Sequence, residues 1–326
     1  MPRKTGDVYR FDYKYPIKRM FISRFYNGGL LQLDYSALES RVLALDSKDE
    51  DMIQAFLNGE DVHRQTASLV FRKPMDEVTD DERTMAKATS FGLAYGETPF
   101  SYYSKHNMTL EEAEKLFEDF FAGKPTIKAY IEKNKEYALE HGNIETMQGY
   151  TRNLRDVYSK DKTKRNGALR QTTNTRIQGS GAFLTNNSLI YINNIIEKKG
   201  LRSRIVLTVH DSIVIDCPPE EIKLMAYIGK YVMENLPIDW LFIDWKGERI
   251  RFPVTADVEI GTTYNDMVDY DADELDTFAS TKGYCKYLSD LKNVKNYKNS
   301  GAITEEKYEE LKATIENNKA TYQQVV

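Results

Sequence analysis

The chain has 326 residues, 41% hydrophobic and 29% charged, the proportions of a soluble globular protein with room for one large domain or two intermingled ones. Its net charge of −5 excludes a surface coated in nucleic-acid-binding cations, so any DNA contact must come from local basic residues. Two distant cysteines, Cys217 and Cys285, exclude a disulfide scaffold and a cysteine-based zinc site, and the lack of a secretory signal or a bilayer-length apolar run points to the cytoplasm and no membrane partner.

Residues 1–29 mix basic and aromatic side chains without a clear period, among them Arg10, Lys14, Lys18, Arg19, Phe21, Phe25 and Tyr26. Gly28-Gly29 then gives way to Leu30-Leu31-Gln32-Leu33, an apolar run of strand length that ends at Asp34. The stretch 37–57 reads as helical and closes at Asn58-Gly59. A capping box at Thr79 and Glu82 opens a helix through Arg83, Lys87 and Phe91 towards Gly96, and a second at Thr109 and Glu112 opens another with Ala113, Leu116, Phe117 and Phe120 on one face. Residues 144–149 look like a strand entering a hairpin. The longest helical pattern covers 168–199, with an interruption expected at Gly179-Ser180-Gly181 and a stop at Lys198-Lys199-Gly200. Residues 205–209, His210-Asp211 and 213–215 read as strand, tight turn and strand. A helix near 219–235 and a strand over 253–260 follow. Residues 266–276 are acidic, and 281–326 are rich in Lys and Asn with a weak helix after Thr304, the pattern of an appendage. This irregular mixture predicts an α+β fold with an antiparallel sheet.

Three groups of residues carry chemistry. Asp34 ends a buried strand and Asp211 sits in a hairpin between two apolar strands, so rigid sheet edges point both carboxylates to one side. Such a pair can hold two divalent metals ~4 Å apart for phosphoryl transfer, with Mg2+ the natural ion for hard oxygen ligands and phosphate substrates. Either aspartate alone is an ordinary turn residue. Arg83, Lys87, Phe91 and Tyr95 step by four along one helix face, placing a guanidinium and an ammonium where they can neutralise adjacent phosphates and an aromatic where a sugar and base would lie. His63 and Arg64 add candidate phosphate donors. Arg170, Asn174 and Gln178 repeat the four-residue step, and side-chain amides on one stripe can read base-pair geometry in the minor groove.

Together these residues resemble the family A DNA polymerases, which include the bacterial repair polymerase and several phage replicases. Asp34-Tyr35-Ser36-Ala37-Leu38-Glu39-Ser40-Arg41 is similar to motif A (DYSQIELR). The run from Arg83 to Gly96 is similar to motif B (RxxxKxxNFGxxYG), and Val209-His210-Asp211-Ser212 to motif C (VHDE). Asp61-Val62-His63-Arg64 resembles the family's DIHR and Gln178-Gly179 its QGT segment, so the resemblance covers about 17–267. It implies a right-hand polymerase, with a palm built on the antiparallel sheet over 30–60 and 166–265 and helical fingers over 61–165. These are flanked by the N-terminal segment 1–29 and the C-terminal appendage 266–326. It implies that Asp34, Asp211 and the Tyr35 carbonyl ligate two Mg2+ ions, that Arg83, Lys87 and His63 hold the triphosphate, and that Phe91 meets the incoming nucleotide. Tyr95 and Glu39 would close off the space of a ribose 2′-hydroxyl, which favours dNTPs over the substrates of a single-subunit RNA polymerase. Arg170, Asn174 and Gln178 would touch primer-template DNA, and His210 the primer terminus.

Three positions depart from the motifs: Ser212 replaces a glutamate, Ala37 a glutamine and Ser90 an asparagine. Only 33 residues precede Asp34, so no thumb is expected, as in the product of a split phage gene, and an N-terminal polypeptide carrying thumb or exonuclease is expected as a partner docking on residues 9–26. The alternative is a non-catalytic remnant that binds nucleic acid or a partner protein.

Overall fold

The computed structural model describes residues 17–105 and 108–326. Strand β1 (Gly29–Tyr35) is followed by α1 (Leu38–Ser47), α2 (Glu50–Leu57), α3 (Val62–Phe71), α4 (Asp80–Ala94), α5 (Pro99–Tyr103), α6 (Leu110–Gly123) and α7 (Pro125–His141). Next come β2 (Asn143–Glu145), β3 (Thr151–Asn153), α8 (Lys162–Lys199), β4 (Arg204–Val209), β5 (Ser212–Cys217), α9 (Ile222–Glu234), β6 (Phe242–Trp245), β7 (Glu248–Arg251) and β8 (Ala256–Gly261). The chain ends with β9 (Val268–Asp269), α10 (Ala272–Leu275), α11 (Thr281–Asn299), α12 (Glu305–Asn317) and α13 (Lys319–Gln323).

Both capping boxes form, Thr79 with Glu82 and Thr109 with Glu112. The stretch 37–57, expected as one helix, is two. Lys48 turns left-handed at φ 59°, and Asp49 starts the next helix by accepting the Met52 amide at 2.9 Å. The expected interruption of the long helix is absent, and α8 runs unbroken through Gly179-Ser180-Gly181. A Cβ on Gly179 would stand 2.6 Å from Thr146 Cγ2, and one on Gly181 3.2 Å from Leu38 Cδ2. These glycines admit close neighbours and do not end the helix.

The elements gather in two compact units. The first comprises residues 17–36, Asn187–Asn235 and Thr255–Val326. Its antiparallel sheet has the order β4-β5-β1-β8-β9. Leu31 and Leu33 of the central strand are fully buried, and α9 lies on them so closely that a Cβ at Gly229 would be 2.5 Å from Leu33 Cδ2. Strand alternation therefore puts Gln32 and Asp34 on the opposite face. There Asp34 stands between Ser212 and Asp257, and Gln32 is paired with Glu259.

Residues 266–326, expected as an appendage, pack against the sheet of the first unit. Helix α11 packs on β8 and β9 with Tyr284 and Cys285 buried, and the Tyr284 hydroxyl donates to the Asp269 carbonyl at 2.9 Å. The segment covers the short edge strand β9, which would otherwise present open backbone groups.

The second unit comprises Ala37–Asn186 and Leu236–Val254, so the stretch 30–60, expected as one piece of palm, divides at Ser36. It holds α1 to α7, the first part of α8 and the hairpins β2–β3 and β6–β7. Leu93, Tyr102, Ala113, Phe117 and Phe120 form the core joining α4, α5 and α6. No helix among the described residues is long and apolar enough to cross a membrane.

Candidate active site

The acidic face of the first unit is built by strand pairing. Val209 pairs with Ser212, which leaves His210-Asp211 as a two-residue turn. His210 takes φ 57°, uncommon for a residue with a Cβ, and stands exposed at the tip. The Ser212 hydroxyl donates to the Val209 carbonyl at 2.9 Å and so closes the turn. The residue that replaces the motif C glutamate thus braces the backbone and is 5% exposed. The Tyr35 amide donates to the Asp211 carbonyl at 3.4 Å, tying the end of β1 to the turn. The Tyr35 ring points to the other face, where its hydroxyl lies 2.8 Å from Ser188 Oγ and 3.0 Å from the Met233 carbonyl.

Asp34 Oδ1 is enclosed and has no hydrogen-bond partner among the described residues. Burial pushes the Asp34 carboxyl up to about 7, helped by the charge of Asp211, a hydrogen bond to it, and the charges of Glu259 and Asp257. Glu259 is balanced locally: Gln32 Nε2 donates to it at 3.1 Å, and Lys292 of α11 approaches within 3.7 Å. Asp34 has no such balance. A buried, unpartnered carboxylate oxygen beside a second carboxylate suits a hard divalent cation, so the residues present fit Mg2+. No group of three or more His, Cys, Asp or Glu side chains that could hold a metal occurs among the described residues, so further ligands would be backbone, water or substrate oxygens. The acids Asp257 and Glu259 received no role from the sequence, although alternation over Ala256-Asp257-Val258-Glu259-Ile260 places both on the face that Asp34 shares.

In the second unit Asp61 caps α3, accepting the His63 and Arg64 amides at 3.0 and 3.1 Å, and also receives Arg83 Nε. Burial works to raise the Asp61 carboxyl, but Arg83 and the two amides outweigh it and hold it below the usual range. Arg83 is therefore already paired, whereas the Lys87 side chain, one turn further on, is exposed and makes no ion pair or hydrogen bond among the described residues. Arg64, a candidate phosphate donor, braces the start of α4 instead, with Nη2 2.8 Å from Asp80 Oδ1.

The structure places His63, expected to hold phosphate, inside the second unit. The ring is 4% exposed, its Nε2 is buried without a partner, and it packs against Phe91 with centroids 5.8 Å apart. Burial pushes its pKa down to about 4, as does the charge of Lys87, so His63 is neutral at ordinary pH and backs Phe91 from behind.

Phe91 stacks on Tyr95 at 6.0 Å and 21°. The Tyr95 hydroxyl donates to Glu39, whose other oxygen accepts from Gln178 Nε2 at 3.2 Å. Glu39, Tyr95 and Gln178, from three motifs, thus form one hydrogen-bonded group. Burial, then Glu39, raises the Tyr95 phenol, which stays a donor at any working pH. Arg170, Asn174 and Gln178 share a stripe of α8, Arg170 and Gln178 exposed and Asn174 half-buried. Gly96 turns at φ 76°, and a Cβ there would sit 2.8 Å from Arg170 Cγ. Arg170, Tyr95, Gly96 and Lys105 line an open cleft of about 430 Å³. The Ser90 hydroxyl, where motif B has asparagine, is spent on the Ala86 carbonyl at 2.8 Å.

The chain is similar to known proteins. The family model described as DNA polymerase family A matches residues 8–266. The DNA polymerase of Bacillus phage SP01 is 36% identical over 302 residues, 89% of this chain and 32% of that protein. DNA polymerase I of Bacillus subtilis is 33% identical over 219 residues, 67% of this chain and 25% of that one. Among solved structures, the POL domain of Pol1 from M. smegmatis, in complex with DNA primer-template and dNTP, matches with a TM-score of 0.70 at 30% identity over 81% of this chain and 44% of its own. The architecture is that of a polymerase domain with palm and fingers elements. The chain belongs to DNA polymerase family A. It spans between a quarter and a third of the length of these two curated relatives.

Proposed function

We propose that the chain is the catalytic portion of a template-directed DNA polymerase, adding dNMP from dNTP to a primer 3′-hydroxyl. The observation that carries this reading is the carboxylate pair, Asp34 with an enclosed, unpartnered oxygen beside Asp211, on the paired ends of β1 and the β4–β5 turn. Asp34, Asp211 and the Tyr35 carbonyl would hold two Mg2+ ions, which when bound supply charge to the transferring phosphoryl group and acidify the primer hydroxyl. Lys87 is the open cation for the triphosphate, and Arg83 adds a second by exchanging part of its contact with Asp61. Phe91 and Tyr95 offer the nucleotide an aromatic face. Glu39, held by Tyr95 and Gln178, would fill the space of a 2′-hydroxyl and reject rNTPs. Arg170, Asn174, Gln178 and His210 would contact primer-template, the DNA that the M. smegmatis domain holds in its solved complex. The test is primer extension with Asp34→Asn and Asp211→Asn beside the unaltered chain.

The reading includes a partner. Duplex affinity rests on phosphate contacts and counterion release, and this chain is net negative. Arg10 and Lys14, in the expected docking stretch, lie outside the described residues. The described cations there are engaged within the first unit: Arg19 with Asp266 at 3.1 Å, Arg24 with Asp216 at 3.2 Å, and Lys18 over the Tyr264 ring. A polypeptide carrying thumb or exonuclease would therefore meet the exposed apolar side chains Ile17, Met20, Ile22 and Tyr26 more than free charge. Purified chain should bind primer-template weakly, and adding a thumb-bearing partner should raise affinity on the order of 10²-fold at moderate salt. Tight, processive synthesis by the chain alone would show that no partner is needed.

A further inference from the structure

A partly buried ion pair away from the candidate nucleotide contacts joins α1 to α8. Arg176 meets Asp46 side by side, Nε to Oδ2 at 2.7 Å and Nη2 to Oδ1 at 2.6 Å, with the Asp46 side chain 7% exposed. The third Arg176 nitrogen donates to the Glu145 carbonyl at 2.9 Å, and the Tyr130 hydroxyl donates to Asp46. Four elements, α1, α7, α8 and β2, are thereby locked together by directional bonds.

Asp46 lies seven residues after Glu39, two turns along the same face of α1. Arg176 lies two residues before Gln178 on α8. The same two helices are thus bridged twice, by Asp46–Arg176 and by Glu39–Gln178. The second bridge is a single exposed hydrogen bond of 3.2 Å, too weak to fix two helices by itself. The first is bidentate and shielded, the kind that sets register.

We infer that Asp46 and Arg176 are positioning residues for sugar selection: their pairing holds Glu39 at the depth where, with Tyr95, it meets the nucleotide sugar. The inference rests on the polymerase reading above. Asp46 touches neither nucleotide nor DNA in this account. Its effect passes through the placement of α1 against α8, where Gly181 already brings the helix within van der Waals reach of Leu38.

The test uses the full chain on a primer-template and measures efficiencies for a dNTP and its rNTP. Asp46→Asn, which removes the charge at nearly constant volume, should lower the dNTP to rNTP ratio at least ~10-fold, since small misplacements of an orienting group cost that much. A double variant, Asp46→Leu with Arg176→Leu, should recover thermal stability, because apolar replacement of a buried pair is often neutral or better. It should keep the lowered ratio, because the directional lock stays absent. An unchanged ratio in Asp46→Asn, or a ratio that recovers together with stability in the double variant, would overturn the inference. If Asp46→Asn does not fold, the double variant alone decides on the same criterion. A wild-type chain that incorporates neither nucleotide even with a thumb-bearing partner added would overturn the polymerase reading itself, and this inference with it.

Discussion

The two units treat charge in opposite ways. In the second, the candidate substrate groups are mostly satisfied in advance: Arg83 by Asp61, and Glu39 by Tyr95 and Gln178, with Lys87 left open. In the first, Asp34 is crowded by Asp211, Asp257 and Glu259 and keeps an oxygen without a partner. One set is held by hydrogen bonds and an ion pair within its own unit. The other gathers like charge around a carboxyl that burial already holds well above its ordinary range. The difference separates what each residue costs the fold from what it does for the reaction.

The largest expected effect is at the crowded site. Asp34→Asn should cut primer extension by on the order of 10³-fold or more, because a full ligand charge is lost where the reaction develops charge. In metal-free buffer the same change should raise the melting temperature, because it removes one of two adjacent like charges. Added Mg2+ should then stabilise the unaltered chain more than the variant. A variant that extends primers at near wild-type rate, or melts well below wild type without metal, would break the contrast between the units.

Lys87→Ala should act on the satisfied side without disturbing it. An exposed, unpaired ammonium contributes little to the fold, so stability should barely change. Nucleotide kcat/KM should fall by roughly 3 kcal/mol, about 100-fold, if the ammonium faces developing charge on the triphosphate. Weakened duplex binding with intact nucleotide use would move Lys87 to the DNA. Glu39→Ala should leave dNTP incorporation within ~10-fold of wild type while admitting rNTPs more readily. An unchanged preference would assign Glu39 to holding Tyr95 and Gln178 and nothing more.

Much of this was legible in the residues. Asp34 ends an apolar run, Asp211 interrupts two others, and both capping boxes mark their helices by local chemistry that needs no tertiary context. What could not be read depended on neighbours distant in sequence. Gly179 and Gly181 look like helix breakers until Thr146 and Leu38 are seen against them. The Lys-rich tail looks detached because α11 buries only a narrow stripe around Tyr284, Cys285 and Tyr287 in an otherwise polar helix. Arg176 and Asp46 are 130 residues apart, and neither carries a local sign of the other. The run Asp61-Val62-His63-Arg64 points to phosphate, and nothing local in it shows that His63 is buried or that Arg64 meets Asp80.

That burial supplies the smallest and most specific test. His63 titrates near 6.5 when unfolded and about 4 in the fold, so between those values the unfolded chain binds the extra proton. The stability contributed by neutral His63 is complete above pH ~6.5 and drains as pH falls towards 4, by up to about 3 kcal/mol from the size of the shift. Other groups also weaken the fold in acid, Asp61 among them because its carboxyl is held low, so a single pH curve would not isolate the histidine. His63→Phe does isolate it: the ring against Phe91 is kept and the titration is removed. The difference in unfolding free energy between wild type and variant, followed by urea denaturation from pH 7.5 to 4.5, should shift steadily against the wild type below pH 6.5. Lys87 and Arg83 add positive charge near the ring and Asp61 opposes them, so Lys87→Ala should leave the onset near pH 6.5 and reduce the total loss, by letting the folded His63 hold its proton at higher pH. Parallel curves for wild type and His63→Phe would mean that the ring reaches solvent and charges freely. His63 would then be available to meet phosphate as a cation.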